Sequence, residues 1–122
     1  MTIAEAIARL DRVKHNTYDF LEKVGWLSRL DHMIHKHIVE THEGAGVAFT
    51  GYNANTDVNI QLLAPEPFDE MYLRWMEAQI DYCNGEYDKY NQSMLTFQAE
   101  YNAFERWYNR NHMPLGGKMK YF

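Results

Sequence analysis

The chain is poor in cysteine and has no long apolar run. Its one cysteine, Cys83, excludes an internal disulfide. No apolar stretch approaches the roughly 20 residues that a membrane-spanning helix needs, and the first residues lack the basic and then apolar pattern of a secretory signal. We therefore expect no disulfide, no membrane association and no secretion, and we expect Cys83 to pack as a small apolar side chain.

Basic residues are also scarce over much of the chain. Residues 66–105 hold nine acids and two basic residues, whereas residues 106–122 hold no acid and four basic residues: Arg106, Arg110, Lys118 and Lys120. The formal net charge of −5 argues against a sequence-independent DNA-binding protein, which needs clustered cations. The acidic stretch is typical of a solvated helix face; the alternative is a surface that repels nucleic acid or meets a basic partner.

Length and composition match one folded domain. A chain of 122 residues is long enough for one hydrophobic core. Hydrophobic residues make up 46% and charged residues 24%, which excludes an intrinsically disordered chain. We predict a single, mainly α-helical domain over residues 1–122, built as a small bundle of three to four helices with a long C-terminal helix.

An apolar stripe with alternating steps of three and four residues supports this prediction. Its members are Leu73, Met76, Ile80, Cys83, Tyr87, Tyr90, Met94, Phe97, Tyr101, Phe104 and Tyr108. Because the mean step of 3.5 nearly matches the 3.6-residue turn, all of them lie on one face of a helix that must be buried against other helices or another chain. At Asn84-Gly85 the continued phase favours a kink, and a turn that folds two helices together is the alternative.

Two further helices are predicted in the first half. Thr2 and Glu5 form a capping box, and apolar residues follow at helical spacing up to Val13. A second helix is expected to begin at residues 17–19, with an apolar face that contains Phe20, Val24, Leu27, Ile34 and Ile38. Asp31 falls on this same face, where its carboxylate needs a hydrogen-bond partner such as a neighbouring helix end or an aromatic hydroxyl.

The segment between the second and third helices differs in kind. Apolar residues alternate with polar ones on both sides of a polar turn at residues 53–57. Period-two alternation around a turn predicts a β-hairpin or an extended arm, over about residues 43–63. Pro65 and Pro67 end the arm, and Asp69 is the predicted N-cap of the third helix. An isolated hairpin is only marginally stable, so the arm must lie on the helices or be completed by another molecule.

The C-terminal tail, about residues 113–122, is predicted to be flexible until a partner orders it. It ends in Tyr121 and Phe122 after a basic run. Together the arm and the tail supply the candidate partner-interface residues: Val47, Phe49, Val58, Ile60, Tyr121 and Phe122.

No motif indicates catalysis. His32, His35 and His37 lie close together in sequence, but His37 points away from the other two on a helix, so we expect no metal site. The acidic residues between the aromatic positions argue against a base-stacking surface. We therefore predict a non-enzymatic protein with no catalytic residues, no cofactor and no metal.

Several motifs resemble those of small proteins encoded by Gram-positive, clostridial-type prophages. The resemblance runs from about residue 18 to residue 114 and departs from shorter relatives at the Gly-rich segment 43–56. It rests on Trp26-Leu27-Ser28-x-Leu30-Asp31, Leu63-Ala64-Pro65-x-Pro67-Phe68-Asp69-x-x-Tyr72, Ile80-Asp81-Tyr82-x-Asn84-Gly85-Glu86-Tyr87-x-x-Tyr90-Asn91, Phe104-x-x-Trp107-Tyr108 and His112-Met113-Pro114. Those proteins are similar to head-tail connector (adaptor or head-completion) proteins of tailed phages.

The resemblance implies a structural role. Such proteins dock as a homo-oligomeric ring beneath the portal protein, contact tail and neck proteins, and let DNA pass without sequence-specific binding. The implied location is the bacterial host cytoplasm during assembly and then the virion neck. Two alternatives remain: another phage morphogenesis factor, such as a tail-completion protein or assembly chaperone, and a helical metal-binding or regulatory protein outside virions.

Overall fold

The computed structural model describes residues 1–42 and 48–112. Most of this part of the chain forms four α-helices: α1, Ile3–Val13; α2, Phe20–Ile34; α3, Glu70–Cys83; and α4, Tyr87–Asn111. α2 continues into a short π-helical segment, His35–Val39. The predicted mainly α-helical bundle with a long C-terminal helix is therefore confirmed. None of the helices described is long and apolar enough to cross a lipid bilayer.

The helices run alternately up and down. Contacts join the end of α1 to the start of α2, and the end of α3 to the start of α4. A salt bridge of 2.9 Å between Lys14 and Asp81 also joins the end of α1 to the end of α3. At the opposite end of the bundle, His42 contacts Asn109 in the last turn of α4. We call the end that holds the α1–α2 connection and the α3–α4 turn the turn end.

The first helix begins as its sequence predicts. Thr2 Oγ1 accepts a hydrogen bond from the backbone N–H of Glu5, and the Glu5 carboxylate accepts one from the backbone N–H of Thr2. The expected apolar positions are buried, apart from Val13, which is 59% exposed because it lies in the last turn, at the bundle's end. On α2, Phe20 is exposed for the same reason, whereas the rest of its predicted apolar face is buried.

The core lies between α1, α2 and α3. Its side chains with less than 2% exposure include Ile3, Leu10, Leu27, Leu30, Ile34, Ile38, Met71, Tyr72, Met76, Ile80 and Phe104. α4 covers α3 from outside and contributes only Phe97 and Phe104 as fully buried side chains. The long C-terminal helix is therefore held mainly by two aromatic anchors and by half-buried rings beside them.

The predicted kink at Asn84-Gly85 is wrong, and the alternative turn is correct. α3 ends at Cys83, and α4 starts at Tyr87 and runs back along α3. Gly85 has φ +76°, the left-handed conformation in which glycine commonly ends a helix. The 3–4 spacing continues across the turn because α3 and α4 each direct an apolar face toward the contact between them.

The arm forms no strand in its described part. Residues 48–63 run as an irregular, turn-rich segment, and one isolated bridge joins Thr2 to Gln61. The first N–H groups of α1 have no acceptors within the helix, and carbonyl groups of the arm accept their hydrogen bonds. Ile3 N donates to Ile60 O at 3.3 Å, and Ala4 N donates to Val58 O at 2.9 Å. The described arm thus lies on the helices of its own domain, which is the first of the two alternatives that the sequence left open.

Candidate interaction surface

Asp31 is fully buried and fully hydrogen-bonded. Its Oδ2 accepts bonds from Tyr52 OH at 2.5 Å and from the backbone N–H of Leu63 at 3.2 Å. Its Oδ1 accepts one from Tyr72 OH at 2.6 Å, so the predicted aromatic hydroxyl is present twice. Burial raises the pKa of Asp31, and the three hydrogen bonds offset only part of that effect.

This cluster ties the arm to α2 and α3. Tyr72 OH also accepts a bond from Ala64 N at 2.8 Å, and Tyr52 N donates to Ser28 Oγ at 3.0 Å. Both carboxylate oxygens of Asp31 are occupied by donors of the protein itself. We therefore interpret the cluster as a structural clasp and not as a reaction centre.

A shallow groove of about 710 Å³ lies between α1 and residues 61–70. Its charges pair with one another: Arg9 and Glu70 form a salt bridge of 2.8 Å, and the Met1 amine lies 3.5 Å from Asp69. Its described lining mixes both signs, with Arg9 and Arg12 on α1 and the carboxylates of Glu66, Asp69 and Glu70 beside them.

The neighbouring histidines contact an aromatic ring and a carboxylate of their own domain. The His32 ring packs edge-on against Phe49 at a centroid distance of 4.8 Å, and the His35 ring stacks on the same side chain at 6.0 Å. His35 Nδ1 also lies 3.2 Å from Glu40, whereas His37 is exposed. Within residues 1–42 and 48–112, no three His, Cys, Asp or Glu side chains lie together as metal ligands would.

Exposed apolar side chains concentrate at the turn end. Large fractions of Val13, Phe20, Leu21, Tyr82 and Tyr87 are accessible there, with Tyr82 and Tyr87 at 56% and 59%. The Tyr82 ring lies 5.7 Å from that of Tyr87 and 5.3 Å from that of Tyr90. We define the aromatic end surface as the exposed parts of Phe20, Leu21, Tyr82, Tyr87 and Tyr90. The three tyrosine rings form one cluster around Tyr82, and exposed ring clusters of this kind typically mark a site of protein–protein contact.

Polar contacts between the helix ends hold this surface in place. Asp81, only 1% exposed, forms a salt bridge with Lys14, 2.9 Å away, and accepts a hydrogen bond from Ser93 Oγ at 3.2 Å. Tyr18 OH donates to the Asn84 side chain, 2.5 Å away. These bonds join the ends of α1, α3 and α4 and the segment before α2. The aromatic end surface is therefore presented by a braced group of helix ends.

The rim of the aromatic end surface is acidic. Four exposed carboxylates lie in the first turn of α2 and around the α3–α4 turn: Asp19, Glu22, Glu86 and Asp88. The exposed Lys and Arg side chains at this end are Lys89, which pairs with Glu86 at 3.4 Å, and Arg12 in the last turn of α1. An aromatic centre with a negative rim favours a partner that combines apolar groups with positive charge.

The structure separates the predicted partner-interface residues. Phe49 is half-buried and packs on the rings of His32 and His35, so its contacts lie within its own domain. Val58 and Ile60 keep exposed side chains at 36% and 44% and stay candidate partner contacts. The remaining three candidates, Val47, Tyr121 and Phe122, lie outside the described residues.

Sequence reasoning missed the aromatic end surface. The stripe assigned Cys83, Tyr87 and Tyr90 to one buried face, but the structure exposes Cys83 and Tyr87 and half-buries Tyr90. The cause is the turn, which places these positions at the outer end of the helix pair. Asn84-Gly85 was the available signal, because reading it as a turn would have placed these residues at an end of the bundle.

Comparisons with known proteins do not assign the chain to a family. No family model, curated protein sequence or solved structure matches it.

Proposed function

We propose that this protein is a non-enzymatic structural component of a tailed phage, a head-tail connector that assembles as a homo-oligomeric ring beneath the portal protein and links the capsid to tail and neck proteins. The observation that carries the proposal is the aromatic end surface. A braced group of helix ends that exposes Tyr82, Tyr87 and neighbouring apolar side chains to water suits a subunit that is covered on assembly. The sequence resemblance to prophage connector proteins supplies the class of assembly.

The charge distribution is consistent with this role. The net charge of −5, with its excess of acids over residues 66–105, disfavours tight phosphate contacts. A negatively charged channel wall would let DNA pass without binding it. In this proposal the protein acts in the bacterial host cytoplasm during assembly and then in the virion neck.

The test combines purified protein with the portal protein of the same prophage. Negative-stain electron microscopy is expected to show an added ring on the tail side of the portal, and mature particles are expected to contain the protein. A protein that assists assembly but is absent from mature particles would be a chaperone, which contradicts the connector proposal. Failure to bind either portal or neck proteins would contradict it as well.

A further inference from the structure

The two ends of α4 are chemically opposite. At its start lies the aromatic end surface with its acidic rim. At its end, Arg106 and Arg110 are exposed, and the chain continues into residues 113–122, which carry Lys118 and Lys120 and no acid. The last five residues, 118–122, alternate lysines with Met119 and then end in two aromatic side chains.

We propose that the aromatic end surface binds residues 118–122 of a second copy of this chain. In this contact Tyr121 and Phe122 pack on the exposed rings of Tyr82 and Tyr87, and the two lysines face the carboxylates of the rim. Aromatic pairs and cation–π contacts both favour such an arrangement. The inference rests on the proposed function, since it names the contact by which the ring subunits join.

Chain geometry excludes the same chain as the source of the bound segment. α4 has 25 residues, and at about 1.5 Å per residue it separates its two ends by about 37 Å. Residues 113–117, even fully extended, span only about 18 Å. Lys118 of the same chain therefore falls short of the acidic rim, so residues 118–122 as a whole can lie only on the aromatic end surface of a neighbour.

The contact is head-to-tail, because one copy contributes its turn end and the other its C-terminal segment. Such heterologous contacts close into a ring when the rotation between neighbours allows it, and otherwise form open filaments. Each copy carries one donor segment and one acceptor surface. This property separates the proposal from a two-fold symmetric dimer, in which both copies would use the same patch.

The test uses full-length chains in solution, without portal protein. Tyr121→Ser with Phe122→Ser removes the donor, and Tyr82→Ser with Tyr87→Ser removes the acceptor. Leu95→Ser is the matched control, because Leu95 is 73% exposed in the middle of α4, away from both ends. In sedimentation velocity, wild type and control are expected to self-associate as concentration rises, and each double variant alone is expected to stay monomeric.

Mixing the two double variants gives the sharper outcome. The donor-deficient chain still has an acceptor, and the acceptor-deficient chain still has a donor, so one contact can form and the complex stops at two chains. A synthetic peptide of residues 113–122 is expected to bind the donor-deficient chain. The affinity of the peptide is expected to fall about tenfold or more when the donor-deficient chain also carries Tyr82→Ser and Tyr87→Ser. The affinity is also expected to fall when the donor-deficient chain carries Glu22→Lys and Asp88→Lys instead.

Three results would overturn the proposal: a peptide that does not bind, a peptide whose affinity ignores the acceptor substitutions, or a mixture that assembles no further than its separate components. A fourth result would overturn it as well: the acceptor-deficient chain forms intact rings on the portal and binds it as strongly as wild type. The connector proposal is judged separately, by ring formation on the portal. Loss of the tail contact with ring formation retained refutes only this inference, and tail binding without portal or neck binding refutes only the connector role.

Discussion

The clasp around Asp31 allows a quantitative test of what holds the arm to the helices. Tyr72→Phe removes one hydroxyl and changes little else. That hydroxyl donates to Asp31 at 2.6 Å and accepts from the backbone N–H of Ala64 at 2.8 Å, and Tyr72 has no exposed surface. The substitution therefore deprives a buried carboxyl of one donor and a buried N–H of its acceptor.

The expected cost follows from these two groups. A buried polar group left without its partner costs about 1–3 kcal/mol, and the two losses share one site, so we expect Tyr72→Phe to lower the free energy of unfolding by about 2–3 kcal/mol. Tyr52→Phe is expected to cost less, about 1 kcal/mol, because Tyr52 lies at the edge of the clasp with 9% exposure. Asp31→Ala leaves three donors without an acceptor and is expected to cost about 3–5 kcal/mol.

Urea unfolding followed by circular dichroism measures these free energies. Tyr82→Phe is the matched control, since it removes a hydroxyl from a ring that is 56% exposed, and its stability is expected to match wild type. A double-mutant cycle of Asp31→Ala and Tyr72→Phe is expected to give a coupling above about 1 kcal/mol. If Tyr72→Phe unfolds within about 0.5 kcal/mol of wild type, the clasp does not stabilise the fold and our reasoning is wrong.

Three further predictions concern α4, the turn and pH. Phe104→Ala, at an anchor with 1% exposure, is expected to cost about 3–5 kcal/mol and to increase hydrogen exchange over α4, whereas Leu95→Ala leaves both nearly unchanged. Gly85→Ala, at φ +76°, is expected to cost about 1 kcal/mol in urea unfolding, although no neighbouring atom blocks a Cβ there; a neutral result would contradict the left-handed turn. Because burial raises the pKa of Asp31 above its unfolded value, the stability that its neutral form supplies is present below about pH 4 and lost as pH rises through the folded pKa. The advantage of wild type over Asp31→Asn is therefore expected to shrink as pH rises above about 4, and a difference that stays constant with pH would refute the raised pKa.

The sequence alone determined the local structure of the helices. The capping box at Thr2 and Glu5 set the start of α1, because its two hydrogen bonds join residues only three positions apart. The stripe from Leu73 to Tyr108 placed Phe97 and Phe104 on a buried face, and both are buried. Even the hydroxyl partner of Asp31 was predictable in kind, since a carboxylate in an apolar face requires donors.

Only the tertiary structure decided the features that depend on contacts distant in sequence. The stripe could not distinguish a kink from a turn at Gly85, because the 3–4 spacing of its apolar residues is the same in both cases. The antiparallel packing of α3 against α4 shows that the chain turns there. The arm alternates like a hairpin, yet its carbonyls complete the first turn of α1 and its Tyr52 binds Asp31. The aromatic end surface arises for the same reason. Periodicity gives the face of a helix on which a side chain lies, whereas burial depends on whether another element covers that face, and no element of the described chain covers the rings of Tyr82 and Tyr87.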